Sequence, residues 1–215
     1  MGGLRAVAEH ASEISLARPF YPARPGGTRR ADLSAGLGLS LAQLRRRCDG
    51  RDAETLFWTL GGKQVGKAAL HGWQMLRQAR AGQPDIALWP FEGSLPELLA
   101  GPARFVCAET YPREFYRYFD AVPPVRWSKR RRADRLARVP ALFDWARRLG
   151  VRWDRGVRGR VAAGCSDGPA GEDEFDAISG VLGMIAVVTG EIPPGVPAGD
   201  PVVAATEGWI LGRAA

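Results

Sequence analysis

Short apolar runs alternate with helical patterns along the chain, and this alternation predicts the fold class. Apolar runs bounded by turn residues are typical of the buried strands of an α/β sheet, and they occur at residues 56–60, 84–89 and 104–108. Apolar side chains at helical spacing predict helices over residues 65–80 and 172–190. Strands that alternate with helices favour a layered α/β domain.

The remaining segments are predicted from periodicity and turn residues. We expect a short basic helix over residues 39–47 and a helical turn over residues 94–99. Residues 127–150 have an apolar helical face with arginines opposite, and Pro140 inside them predicts a kink or a second helix. Further segments are a glycine-rich loop at residues 156–171 and a short strand or cap at residues 206–211.

Length and composition set the broad class of protein. The chain has 215 residues, of which 46% are hydrophobic, so we predict a single domain over residues 1–215. It would consist of an irregular or helical lead-in over 1–50 and an α/β core over 51–215. The longest apolar run, residues 177–188, is shorter than the roughly 20 residues that cross a bilayer, so no membrane is expected. The first residues lack a signal peptide, which predicts a cytoplasmic protein with reduced cysteines.

Charge is distributed unevenly along the sequence. Residues 101–160 carry 16 basic and 6 acidic side chains, a net of +10, whereas residues 161–215 carry 1 basic and 8 acidic side chains, a net of −7. A basic segment beside an acidic one suggests a surface that attracts polyanions next to a pocket for a divalent cation. The alternative is that both segments are solvated faces of ordinary helices.

A segment rich in glycine and lysine meets part of the P-loop pattern. Gly61, Gly66 and Lys67 follow a predicted strand and precede a predicted helix, which is the context that a phosphate loop requires. Ala68, however, stands where the motif has the Ser or Thr that binds magnesium. A P-loop-like nucleotide-binding protein is therefore kept as an alternative function.

Three carboxylates are the candidate catalytic and metal-binding residues. Glu109 follows a predicted strand directly, at the carboxyl end where α/β sheets place their active sites. Asp173 and Asp176 are spaced i, i+3 at the predicted start of the last helix, so both lie on one face of its first turn. Carboxylates of separate elements bind Mg²⁺ or Mn²⁺, and such ions activate water for phosphodiester hydrolysis. The alternative is that both aspartates only stabilise the helix N-terminus.

Basic residues supply the candidate nucleic-acid surface. Cations hold a phosphate backbone, and a neighbouring aromatic ring can stack on a base. A solvated helix face is the alternative. The candidates are Lys63, Lys67, Trp127, Lys129, Arg130, Arg131, Arg132 and Arg135.

Several motifs are long and ordered enough to carry a resemblance: ETLFWTLGGKQVGKAALHGW, ALWPFEG, AETYPREFY, WSKRRRADR, DEFDAISGVLGM and EGWILG. Over residues 13–212 the chain resembles an uncharacterised bacterial group of predicted nucleases with a ribonuclease H-like fold. The resemblance implies a mixed sheet flanked by helices and a divalent-metal-dependent nuclease. By this resemblance Glu109 takes the role of the later-strand Glu, and Asp173 and Asp176 take those of the acids that open the last helix.

The resemblance also implies that the front of the fold is missing. In the family the first strands carry a leading Asp, whereas nothing before Asp32 looks like an apolar strand that ends in an acid. We therefore expect a member that is N-terminally truncated or that lacks the first strands in nature. In both cases the metal site lacks one ligand, and an unpaired sheet edge favours self-association or poor stability. Hydrolysis of phosphodiester bonds in DNA or RNA is the predicted function, and a non-catalytic binding remnant of the same fold is a further alternative.

Overall fold

The computed structural model describes most of the chain from residue 65 onwards and fewer positions before it. The described residues are 65–83, 85–119, 127–195 and 201–214, together with 31, 34, 38–43, 45, 46, 48 and 49. The chain divides into two compact units. Unit 1 comprises Met1–Cys107 and Pro197–Trp209, and unit 2 comprises Ala108–Val196 and Ile210–Ala215.

Unit 1 contains a parallel sheet of two strands. Helix α1 (Val65–Gly82) precedes strand β1 (Ile86–Leu88), and helix α2 (Leu95–Ala100) connects β1 to strand β2 (Phe105–Cys107). The strands pair in the register Ile86↔Phe105, Ala87↔Val106 and Leu88↔Cys107. A capping box begins α2, because the Ser94 hydroxyl accepts from the Glu97 N–H while the Glu97 carboxylate accepts from the Ser94 N–H.

Unit 2 is mainly helical. Helix α3 (Pro112–Phe115) continues into a 3₁₀ turn (Tyr116–Tyr118), and α4 (Arg132–Arg148), α5 (Arg155–Ala162) and α6 (Gly168–Val188) follow. Burial of large apolar side chains holds these helices together. The fully buried ones include Phe115, Leu142, Trp145, Val161 and Phe175. The last described helix, α7 (Pro201–Thr206), belongs to unit 1.

Most elements predicted after residue 65 are confirmed. Helix α1 matches the predicted helix 65–80, and β1 and β2 lie inside the apolar runs 84–89 and 104–108. Helix α2 lies at the predicted helical turn 94–99. In the tail, Ile210 forms an isolated parallel bridge with Glu109, as a returning strand would. The strand predicted at residues 56–60 lies outside the described residues.

One of the two outcomes predicted at Pro140 is excluded, and the short helix predicted over residues 39–47 is wrong. Helix α4 runs through Pro140 as one element, so no second helix starts there, while the kink predicted as the other outcome stays a prediction. An interior proline removes one helical hydrogen bond, and the burial of Val139, Leu142 and Trp145 along the same helix offsets that loss. The described positions between 38 and 49 form turns and bends rather than the predicted short helix.

The loop predicted over residues 156–171 is also wrong, because its first half is α5. Asp154 caps this helix, and its Oδ1 accepts hydrogen bonds from the N–H groups of Gly156 (2.8 Å) and Val157 (3.0 Å). Val161 is fully buried and anchors the helix on the core. Together the cap and the buried contact outweigh the low helix propensity of the two glycines in α5.

Helix α6 begins four residues earlier than predicted. Asp167 is its N-cap residue, and Pro169 lies in its first turn, where a proline costs no helical hydrogen bond. Asp173 and Asp176 consequently lie in the second and third turns rather than the first. This placement removes the basis for a purely electrostatic role at the helix N-terminus, since that effect falls off within one turn.

The described residues form a mixed α/β structure that is mostly helical and contains one small parallel sheet. The α/β class is confirmed at this level, while the wider mixed sheet of a ribonuclease H-like fold stays a prediction. Within the described part of the chain, no helix combines the length and the apolar character that crossing a bilayer requires.

Candidate functional site

A polar cluster forms in unit 2 where α6 packs closely on α3. Gly183 of α6 makes this approach possible, since a Cβ atom at its position would lie 2.2 Å from the ring of Phe115. One turn earlier, a Cβ at Gly180 would lie 3.5 Å from Pro112. The close packing of the two helices places Tyr116, which directly follows α3, beside Asp176 of α6.

Asp176 is the centre of this cluster. One carboxylate oxygen accepts a hydrogen bond from the Tyr116 hydroxyl, and the other accepts from the Lys129 ammonium group. Lys129 also pairs with Glu172 at 3.1 Å, and the Nε of Arg130 lies 3.6 Å from the second oxygen of Glu172. Two carboxylates one helical turn apart are therefore held by two cations and a phenol.

The protonation states of the cluster follow from burial and from these contacts. Burial first, and then the hydrogen bond to Asp176, raise the pKa of the Tyr116 phenol above its ordinary value, so the phenol remains a donor. Burial lowers the pKa of Lys129, but hydrogen bonds and charge interactions with Asp176 and Glu172 outweigh it and raise the pKa overall. Lys129 therefore stays an ammonium ion at neutral pH.

Aromatic rings pack on one side of the cluster. The ring centroid of Trp127 lies 5.1 Å from that of Tyr116 and 6.0 Å from that of Phe175. The Arg138 guanidinium lies 5.3 Å from the centre of the Trp127 ring, a cation–π contact. Trp127, a predicted base-stacking residue, is thus packed among these side chains.

The predicted metal ligands are found in three different surroundings. Glu109 is exposed, and its backbone C=O accepts a hydrogen bond of 2.8 Å from the Leu211 N–H. Asp173 is exposed on α6, whereas Asp176 is half-buried in the cluster. Among the described residues, no three His, Cys, Asp or Glu side chains form a group that could hold a metal ion.

The arrangement around Asp176 does not fit a magnesium site. Mg²⁺ requires free oxygen ligands in near-octahedral geometry, and both oxygens of Asp176 accept hydrogen bonds from protein donors. The Lys129 ammonium group pairs with both Asp176 and Glu172, and it thereby occupies the place of a metal ion bridging these two carboxylates. Lys129 was predicted to bind nucleic acid, and the structure places it among the acids instead.

Arg135, another predicted nucleic-acid ligand, belongs to the core. It is fully buried, and its guanidinium donates to the carbonyls of Gly164 (2.8 Å), Lys129 (2.5 Å) and Ser166 (2.6 Å). A cation so enclosed cannot reach a phosphate. It links the first turn of α4 to the segment between α5 and α6.

The other predicted cations at the start of α4 and just before it are exposed. The exposed fractions of the Arg130, Arg131 and Arg132 side chains are 83%, 64% and 44%. Arg131 pairs with Asp134 at 2.6 Å, and Arg132 donates to the Ala163 carbonyl at 2.8 Å. The arginines of α5, which are Arg155, Arg158 and Arg160, are exposed as well.

The candidate phosphate loop is described only in part. Lys63 and Gly61 lie outside the described residues. Gly66 and Lys67 lie in the first turn of α1, which begins at Val65. The P-loop alternative stays a prediction.

Sequence reasoning missed Tyr116 and Glu172 as members of the cluster, and it missed the arginines of α5. The spacing of Glu172 and Asp176, i and i+4, was a usable signal for a shared partner on one helix face. The signal for α5 was Asp154 as a capping residue followed by Arg155, Arg158 and the buried Val161.

A scan against protein-family models and searches of curated proteins and of solved structures found nothing that matches this chain.

Proposed function

We propose that this chain binds nucleic acid through residues 127–160 of unit 2, which we call the basic surface. These residues carry 12 basic and 3 acidic side chains, of which Arg135 is fully buried and Lys129 pairs with Glu172 and Asp176, so ten basic side chains remain for a ligand. The exposure of their guanidinium groups is the observation that carries the proposal: Arg130 is 83% exposed and Arg147 is 76% exposed. A guanidinium binds phosphate oxygens with two parallel hydrogen bonds, and neutralised phosphates release counterions.

Ion pairs on the basic surface do not prevent phosphate binding. Arg131, the N-cap residue of α4, pairs with Asp134, and Arg147 pairs with Asp144 at 3.2 Å, and the partners are three residues apart in each pair. Exposed pairs of this kind contribute little to stability because both groups are well solvated. A phosphate can therefore replace the carboxylate as the partner of either arginine.

The resemblance to nucleases of ribonuclease H-like fold is a second support for nucleic acid as the ligand. Hydrolysis by Glu109, Asp173 and Asp176 with Mg²⁺ or Mn²⁺ stays a prediction of that resemblance. The described residues favour binding over cleavage, because Lys129 and Tyr116 hold the carboxylate of Asp176. We therefore propose a protein that binds nucleic acid without cleaving it. Incubation of a labelled oligonucleotide with the chain and Mg²⁺ or Mn²⁺ measures cleavage separately.

Charge reversal tests the proposal. In Arg130→Glu/Arg131→Glu two exposed cations of the basic surface become anions, and we expect affinity for a labelled single-stranded oligonucleotide to fall at least about tenfold. The matched control is Arg77→Glu/Arg104→Glu, which changes the net charge equally at two exposed arginines of unit 1. The measurement is fluorescence anisotropy at fixed salt. Absence of binding by the wild-type chain, or equal losses in both variants, would contradict the proposal.

A further inference from the structure

A groove of about 490 Å³ lies between the end of α4 and the start of α5, and its lining shares no residue with the Asp176 cluster. Its aromatic lining consists of Phe143 and Trp153, and two arginines, Arg147 and Arg158, line it as well. Gly150 forms part of the groove with open space where a side chain would be. The volume is that of a pocket for a small ligand or a single residue of a polymer.

Both ends of the connection between the helices are held in place by hydrogen bonds. Helix α4 ends in a Schellman motif: Gly150 has φ +71°, its N–H donates to the Arg147 carbonyl at 3.1 Å, and the Val151 N–H donates to the Ala146 carbonyl at 2.9 Å. Asp154 then caps α5. Since little reorganisation is needed on binding, the groove is preorganised for a ligand.

The aromatic rings and the arginines of the groove can bind the two parts of a nucleotide, which are its base and its phosphate. The centroids of Phe143 and Trp153 lie 5.3 Å apart at 86°, so one ring meets the other edge-on. Trp153 is only half-buried. The Arg158 guanidinium lies 5.4 Å from the centre of the Phe143 ring, and Arg147 is largely exposed beside Asp144. An entering planar ring can stack on an aromatic wall while its phosphate reaches an arginine.

We propose that this groove binds one unpaired base of a single-stranded nucleic acid, with the flanking phosphates on Arg147 and Arg158. This inference rests on the proposed nucleic-acid binding, because the same basic surface would hold the rest of the strand. A base inside a duplex is already stacked and paired, so it cannot enter the groove. The excess of basic over acidic side chains among residues 127–160, with only Arg135 fully buried and Lys129 paired with acids, attracts a polyanion, and the aromatic lining of the groove suits the bases of a nucleic acid.

Two strands, one with bases and one without, test whether the groove binds a base. The full chain is titrated with a labelled oligothymidylate and with an abasic strand that has the same number of phosphates, and anisotropy gives both affinities. We expect the strand with bases to bind about tenfold more tightly, since stacking of one base on an aromatic side chain has about this effect. In Trp153→Ala the two affinities should become equal.

Three further variants keep the test independent of folding. Trp153→Phe retains a ring and should retain most of the preference for bases. Arg147→Gln/Arg158→Gln removes two exposed cations and should weaken binding of both strands. Tyr111→Ala removes a ring that is 47% exposed elsewhere in unit 2, and it should leave the preference unchanged.

The outcomes separate the groove from the proposed function. Equal wild-type affinities for the two strands, with binding still dependent on the basic surface, would overturn the groove proposal alone. Binding of neither strand would overturn both proposals. Displacement of the oligothymidylate by an equally charged acidic peptide containing tyrosine, lost in Trp153→Ala, would assign the groove to a protein ligand and overturn the proposal as well.

Discussion

Arg135 is one of six basic residues between positions 129 and 138, yet it is fully buried. Composition alone cannot distinguish it from its neighbours, because every cation in the segment adds equally to the net charge. Its position on the helix can: Arg135 shares a face with Val139 and Leu142, at i, i+4 and i+7, and both are buried. The spacing within α4 therefore decides which arginines face solvent and which one holds the backbone.

Replacement of Arg135 tests this structural role. Arg135→Met removes the donors to three carbonyls that lie near the buried guanidinium, so we expect the free energy of unfolding to fall by about 2–4 kcal/mol. Denaturant titration followed by circular dichroism measures the change. The control, Arg131→Met, alters an exposed side chain and should change stability little. Equal stability of the two variants would be inconsistent with the buried role.

At the scale of secondary structure, α6 shows what the sequence could and could not predict. Its length and apolar pattern predicted a helix. The predicted start, residue 172, was wrong because Asp173 and Asp176 were interpreted as first-turn acids. The signals for the actual start, Asp167 and Pro169, precede the apolar pattern by several residues. The partner of Asp176 was beyond sequence reasoning, because Tyr116 is 60 residues away and reaches it only through the packing of α3 on α6.

Close packing of α6 on α3 depends on the missing side chain of Gly183. In Gly183→Ala the added methyl group would overlap the Phe115 ring, so we expect a loss of about 1–3 kcal/mol in the free energy of unfolding. Gly159→Ala is the matched control: it lies within α5 with nothing within 4 Å of the added Cβ, and it should stabilise the protein by about 0.5–1 kcal/mol. Chemical denaturation checks both, and stabilisation by Gly183→Ala would disprove the packing.

The cap of α5 gives a prediction about acid stability. Hydrogen bonds from the Val157 and Gly156 N–H groups hold the pKa of Asp154 below its ordinary value of 3.8. A lowered pKa in the folded state means that Asp154 contributes its full stabilisation above the pKa of the unfolded chain and loses it as the pH falls through the folded-state value.

Substitution of Asp154 by Asn keeps an oxygen acceptor that does not titrate. We expect the stability of Asp154→Asn to fall less than that of the wild-type chain between about pH 5 and pH 2. Thermal denaturation across this range measures the difference. Asp144→Asn serves as the control, since it removes one exposed carboxylate that caps no helix. A parallel fall in Asp154→Asn and the wild-type chain would count against the cap.

For the whole molecule, charge was the most informative feature of the sequence. The net charge of +10 over residues 101–160 predicted a surface for polyanions, and the structure shows that most of its arginines are exposed. The net charge of −7 over residues 161–215 predicted a metal pocket, but charge counts cannot show whether carboxylates face one another or a cation. The structure shows that Glu172 and Asp176 of α6 face a cation, because both carboxylates pair with Lys129. This lysine comes from the basic segment that precedes α4.

The salt dependence of oligonucleotide binding tests the central claim most directly. Because each phosphate neutralised on a single strand contributes about −0.7 to the slope of log K against log salt concentration, we expect a steep negative slope for the wild-type chain between 50 and 200 mM salt. In Arg130→Glu/Arg131→Glu the slope should be shallower by about 1.4, since two phosphate contacts are lost. A binding constant that is independent of salt, or a slope that the double variant leaves unchanged, would contradict phosphate recognition by the basic surface.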